Sequence, residues 1–174
     1  SASDETADVV APLVADVMED MSQYGPAKVA CEIAVREGFG AERSLIVRPG
    51  LIGGPGDPSG RTDYWPWRLA HPASPGLVLS PDAPDLPTAI IDVRDLAAFV
   101  VAAAEHRVHG VMNAVGDAVS FAAHLDAARA AVGGAADDVT ALAAEESWLL
   151  DAAVAEWAGP RSLLFWRGMP PPRG

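Results

Sequence analysis

Apolar positions along this chain follow two patterns, short unbroken runs and longer stretches with helical recurrence. Ser44-Leu45-Ile46-Val47-Arg48, Ala89-Ile90-Ile91-Asp92-Val93 and Gly110-Val111-Met112-Asn113-Ala114-Val115-Gly116 are of the first kind. Turn residues bound each of them, which predicts buried strands. Residues 27–37, 96–105, 121–132 and 145–157 are built from helix formers and predict helices. Pro26 is tolerable at the head of the earliest helix, because the first-turn N–H groups lack intrahelical partners. Ser22 and Ser120 are candidate caps, and Asp92 or Arg94-Asp95 opens the helix over 96–105. Gly38, Gly40, Gly133-Gly134 and Gly159-Pro160 are candidate stops.

Between these elements the pattern is weaker. Residues 4–21 keep no period and read as an exposed loop, and residues 51–60 as a Gly/Pro-rich loop. Tyr64, Trp65 and Trp67 surround Pro66 in a short aromatic helix over 61–70. Residues 71–88 are proline-rich, with room for a short strand at 76–79, and a short strand or turn begins at Val139. The tail through Pro170-Pro171-Pro172 is expected to be irregular. Strands alternating with helices predict an α/β arrangement with parallel strands, too few for a complete doubly wound sheet.

Composition narrows the class of partner. Twenty-four acidic against twelve basic residues give a formal charge of −12, which disfavours nucleic acid and anionic membranes as partners. No apolar run reaches the roughly 18–20 residues of a membrane span. The acidic start Ser1-Ala2-Ser3-Asp4-Glu5 has no signal-peptide pattern, so a cytoplasmic location is expected. Cys31 is the single cysteine, expected to be an inert packed thiol. The four histidines, His71, His106, His109 and His124, have no metal-ligand spacing and read as surface or loop residues, so no metal site is expected. Trp148 and Trp157, nine residues apart on one predicted helix, read as core.

Candidate chemistry begins with Tyr24-Gly25-Pro26-Ala27-Lys28. Residues four apart on a helix share one face, so the phenol and the ammonium are stacked. An ammonium fixed beside a phenol favours phenolate, which suits tyrosine to proton transfer.

Four segments, taken in order, resemble the extended short-chain dehydrogenase/reductases, the NAD-dependent epimerase/dehydratase family. They are Tyr24-Gly25-Pro26-Ala27-Lys28-Val29-Ala30-Cys31-Glu32, the strand and loop from Leu45 through Arg48-Pro49-Gly50 to Asp57, Ile90-Ile91-Asp92-Val93-Arg94-Asp95-Leu96-Ala97, and Gly110 to Gly116. The resemblance implies a partial Rossmann-type parallel sheet, its C-terminal strands, with a small mixed substrate-binding lobe. Residues 1–50 would hold a loop, the active-site helix and a strand. Residues 51–87 would form the substrate side, 88–116 a returning strand–helix–strand, and 117–174 a helical lobe.

By the same resemblance, Tyr24 would be the catalytic acid/base. Lys28 would favour its phenolate and hydrogen-bond the ribose of NAD or NADP. Pro49, Gly50 and Leu51 would lie against the nicotinamide carboxamide, and Arg61, Tyr64 and Trp65 would line the substrate side. Trp65 and Trp67, beside Pro66, suit packing as well as substrate contact. The implied activity is hydride transfer at a carbonyl or alcohol carbon of a small-molecule substrate. Sugar-nucleotide epimerisation or dehydration uses the same pair, and a non-catalytic remnant that binds a partner is the alternative outside enzymes.

The family's glycine-rich pyrophosphate turn and its upstream serine have no counterpart before Tyr24. Gly53-Gly54-Pro55-Gly56 is followed by Asp57-Pro58 rather than a helix, and Ser1 and Ser3 follow no strand. The expectation is therefore a portion of a larger enzyme, completed by a missing N-terminal half or existing as a homodimer.

Overall fold

The structure, a computed structural model, describes residues 4–156 and 162–163. Its helices are α1 (Tyr24–Phe39), α2 (Tyr64–Ala70), α3 (Val93–Glu105), α4 (Phe121–Val132) and α5 (Glu146–Asp151). Its strands are β1 (Leu45–Pro49), β2 (Leu51–Gly53), β3 (Leu77–Pro81), β4 (Pro87–Thr88), β5 (Ile90–Asp92), β6 (Gly110–Ala114), β7 (Val119–Ser120), β8 (Thr140–Ala144), β9 (Ala155–Glu156) and β10 (Ser162–Leu163). The chain is mixed α/β with strands in pairs. β1–β6, β2–β5, β3–β8 and β9–β10 are parallel and β4–β7 is antiparallel. Two compact units result, one of residues 4–50 and 94–115, the other of residues 51–93 and 116–156 with 162–163.

In the first unit, Leu45 to Pro49 pair in register with Gly110 to Ala114. Successive residues of a strand face opposite ways. Arg48 reaches Glu32 of α1, whereas Leu45 and Val47 line a groove with Val100 and Ala104 of α3. The two helices thus lie on opposite faces of the pair. Burial is thin, with Ile46, Ala103 and Ala114 as the buried apolar residues. Helix α1 buries none of its sixteen residues. A short 3-10 turn, Met21–Gln23, leads into it, and the Asp20 carboxylate accepts from Ser22 N at 2.7 Å. Asp20 caps this turn, its extended backbone aiming the carboxylate at the free N–H, whereas α1 itself starts after Gln23 with no side-chain cap, so Ser22 does not cap it.

The second unit holds the larger core. Trp65, Leu69, Val78, Phe121 and Leu149 are its largest fully buried side chains. Trp65 packs edge-on to Phe121, ring centroids 5.3 Å apart, and so joins α2 to α4. Ser120 caps α4 through Ala123 N at 3.2 Å, as its position in the sequence predicts.

Several expectations are revised. β2 lies inside the stretch read as loop, since the chain resumes a strand one residue after Pro49-Gly50 and pairs with β5. The last predicted helix, 145–157, stops at Asp151, where Ala153 takes a left-handed conformation with φ 53°. Trp148 is 54% exposed and is not core, and Trp157 lies outside the described residues. The predicted stop at Gly159-Pro160 and the tail also lie outside them. Cys31 is exposed, because it falls on the side of α1 away from the half-buried Pro26, Val29 and Ala30.

Candidate functional site

Tyr24 opens α1 and Lys28 follows one turn later, so the helix itself brings the pair together. Lys28 Nζ stands 5.7 Å from the centre of the Tyr24 ring, and Tyr24 is 51% exposed. The contact is cation–π in kind, worth about 0.5–1 kcal/mol at an exposed position. The pair stands on an exposed stretch of α1, open to solvent.

Glu32 and Arg36 continue the same helical stripe at four-residue spacing, with Arg36 Nη2 4.0 Å from Glu32 Oε2. Arg48 closes on Glu32 as a fork, Nε to Oε1 at 2.8 Å and Nη2 to Oε2 at 2.7 Å. The hydrogen bond from Arg48, more than its charge, lowers the Glu32 pKa, and the same bond raises that of Arg48. Glu5 accepts from Asn113 N at 2.8 Å, which lowers its own pKa, and adds negative charge near Arg48. Reading the sequence missed this fork. Its signal is a glutamate four residues past the lysine and an arginine on the following strand.

Pro49 and Gly50 follow at the end of β1, with Gly50 N donating to Ala114 O at 2.9 Å. A Cβ on Gly50 would stand 2.8 Å from Val115 Cγ1, so a larger residue there displaces the valine. Leu51 belongs to the second unit, where its side chain packs against the core.

Arg61, Tyr64 and Trp65 also belong to the second unit. Arg61 is exposed. Tyr64 is half-buried and meets Trp65 edge-on at 5.0 Å; burial raises its phenol pKa, and the charge of Arg68 opposes this more weakly. Trp65 is 1% exposed, so its indole packs the core and offers a ligand little surface. Trp67, 57% exposed and stacked on His71, is the more accessible tryptophan of α2.

The glycine-rich loop does not fit a pyrophosphate. Gly54 N donates to Thr62 Oγ1 at 3.2 Å, and the Asp92 carboxylate lies against Gly54. Asp57 caps the turn that follows by accepting from Ser59 N, Ser59 Oγ and Thr62, which holds its pKa at about 2. Two carboxylates and an internally bonded amide would repel a phosphate rather than cradle it. His124 is half-buried on α4, and burial lowers its pKa. Among the described residues no helix is long and apolar enough to cross a membrane. No protein-family model, no curated protein and no solved structure matches this chain.

Proposed function

We propose that the chain carries the proton-transfer and substrate-side portion of an NAD(P)-dependent oxidoreductase of the extended short-chain dehydrogenase/reductase type. The single observation behind this reading is the Tyr24–Lys28 pair on one face of α1, followed by the Arg48-Pro49-Gly50 strand end. The parallel β1–β6 pair between α1 and α3 is what two C-terminal strands of a Rossmann-type sheet would supply. In this reading Tyr24 exchanges a proton with the substrate oxygen, and Lys28 supplies a cation one turn away on the same face. The resemblance assigns Arg61, Tyr64 and Trp65 to the substrate, and of these Arg61 and Tyr64 keep accessible surface. The redox step belongs to the nicotinamide, whose pyrophosphate must be held by residues other than Gly53-Gly54-Pro55-Gly56.

Saturation-transfer NMR with NADH and NADPH at up to about 10 mM tests whether this chain meets a nicotinamide nucleotide. Transfer that Lys28→Ala diminishes supports the reading, and its absence for both nucleotides defeats it for this polypeptide. In a complete enzyme, Tyr24→Phe should abolish turnover while keeping the nucleotide bound. The carboxylates at the glycine-rich loop favour one second reading, a non-catalytic chain that keeps the family's helix and strands and binds a partner.

A further inference from the structure

The groove beside α3 and the segment preceding α1 are complementary surfaces of one unit. The groove encloses about 460 Å³, with a floor of Leu45, Val47, Val100 and Ala104. Val100 is 44% exposed in spite of its apolar side chain. Arg43, Arg107 and His109 stand at the rim against the single acid Glu42. Glu42 Oε2 already faces His109 Nε2 at 3.2 Å, which leaves the two guanidiniums uncompensated. Such a rim stands out on a chain of net charge −12. Arg107 also holds a left-handed conformation at φ 54°, where it ends α3. Val108 N donates to Ala103 O at 2.9 Å and Arg107 N to Ala104 O at 3.1 Å, the arrangement that ordinarily takes glycine.

The segment Leu13-Val14-Ala15-Asp16-Val17-Met18-Glu19-Asp20 has the opposite character. Val14 is 97% exposed and Val17 75%, among three acids and no base. Isolated exposed valines are ordinary, but two on one irregular arm form an apolar strip with an acidic border. The arm is tied at both ends near the start of α1, by Leu13 N to Pro26 O at 2.9 Å and Glu19 N to Gln23 Oε1 at 2.8 Å.

We propose that the arm over 13–20 of one copy docks in the α3 groove of a second copy. Val14 and Val17 meet the apolar floor, and Asp16 and Glu19 meet Arg43 and Arg107. Docking within one copy is excluded by the geometry of the first unit. Sixteen residues of α1, about 24 Å, separate the arm from the turn that bears Arg43. The arm and the groove also lie on opposite faces of the β1–β6 pair. Each copy then offers one arm and one groove, so copies associate either by exchanging arms in a closed pair or by adding head-to-tail. An eight-residue arm makes a small interface, with an affinity of about 10 μM to 1 mM.

Sedimentation velocity between about 10 μM and 1 mM tests this, since association follows mass action. The wild type should associate as concentration rises, and about 0.5 M salt should reverse the association. Val14→Asp with Val17→Asp removes the arm, and Arg107→Glu removes the rim charge. Arg107→Gly does the same while relieving the left-handed backbone, so loss of association there cannot come from misfolding. Each variant alone should bind at least tenfold more weakly. Mixing an arm variant with a groove variant should restore a heterodimer that stops at two, because one intact arm meets one intact groove. A wild type that stays monomeric, a dimer indifferent to these substitutions, or a mixture that restores nothing overturns the proposal.

Discussion

Removing the Arg48–Glu32 fork should loosen α1 more than any apolar substitution on that helix. None of its residues is fully buried, and its apolar hold on the strands comes from half-buried Pro26, Val29 and Ala30. The fork joins it to β1 through two charge-assisted hydrogen bonds at 2.7 and 2.8 Å. An exposed ion pair contributes about 0.2–1 kcal/mol, and breaking a buried one costs about 3–5 kcal/mol. Here the side chains keep 26% and 16% of their exposure, between those limits. A coupling of about 1.5 kcal/mol follows for the double-mutant cycle of Arg48→Met and Glu32→Gln. That is roughly a tenfold rise in local opening, read as amide exchange across α1. Arg48→Lys should recover part of it, since a lysine cannot reproduce the fork. The Glu32 pKa is lowered in the fold. Its contribution is therefore complete above the free carboxylate value and is lost as pH falls through the lowered one. A coupling below about 0.3 kcal/mol at neutral pH, or α1 exchange indifferent to both substitutions, would refute the reasoning.

Ala153→Gly should stabilise the second unit by about 0.5–1 kcal/mol, measured by urea denaturation, because Ala153 ends α5 at φ 53° and glycine accepts that conformation without a Cβ penalty. Gly50→Ala should cost at most about 1 kcal/mol, because the displaced Val115 is 59% exposed and can turn aside, and Val115→Ala should recover the loss in the same denaturation assay. The Asp57 carboxyl should titrate near pH 2 by NMR. Because that is a lowered value, the turn's contribution to stability is intact above the free value near 3.9 and disappears as pH falls through about 2. Ser59→Ala should move the Asp57 titration upward, since the Ser59 side chain is the largest cause of the shift.

Periodicity revealed the elements that end on strong local signals. Helix α4 runs from Ser120 to Gly133 because a capping hydroxyl and a left-handed glycine mark its ends. The strand runs before Pro49 and after Gly110 were legible for the same reason, being apolar and bounded by turns. β2 was hidden because its three residues sit among glycines, and only pairing with β5 makes them a strand. The early end of α5 was equally hidden, because alanine at 153 carries no stop signal and the turn depends on tertiary context. At the candidate site the spacing of Tyr24 and Lys28 was sufficient to place them together. The Arg48 fork was not readable, because no local rule pairs residues sixteen apart. Trp65 and Trp67 lie on opposite sides of one turn of α2, and so short a helix carries no pattern to say which side meets the core.

The polar attachment of α1 carries a thermodynamic signature of its own. A segment held by burial exposes apolar area when it detaches, so denaturant promotes its opening and cooling weakens its hold. Detaching α1 uncovers Ile46 and the half-buried Pro26, Val29 and Ala30 and also breaks the Arg48–Glu32 fork, so its opening should depend on urea less than the second unit does and on salt more. The helix bearing Tyr24 and Lys28 would then respond to the electrolyte around it while the tryptophan core of the other unit does not.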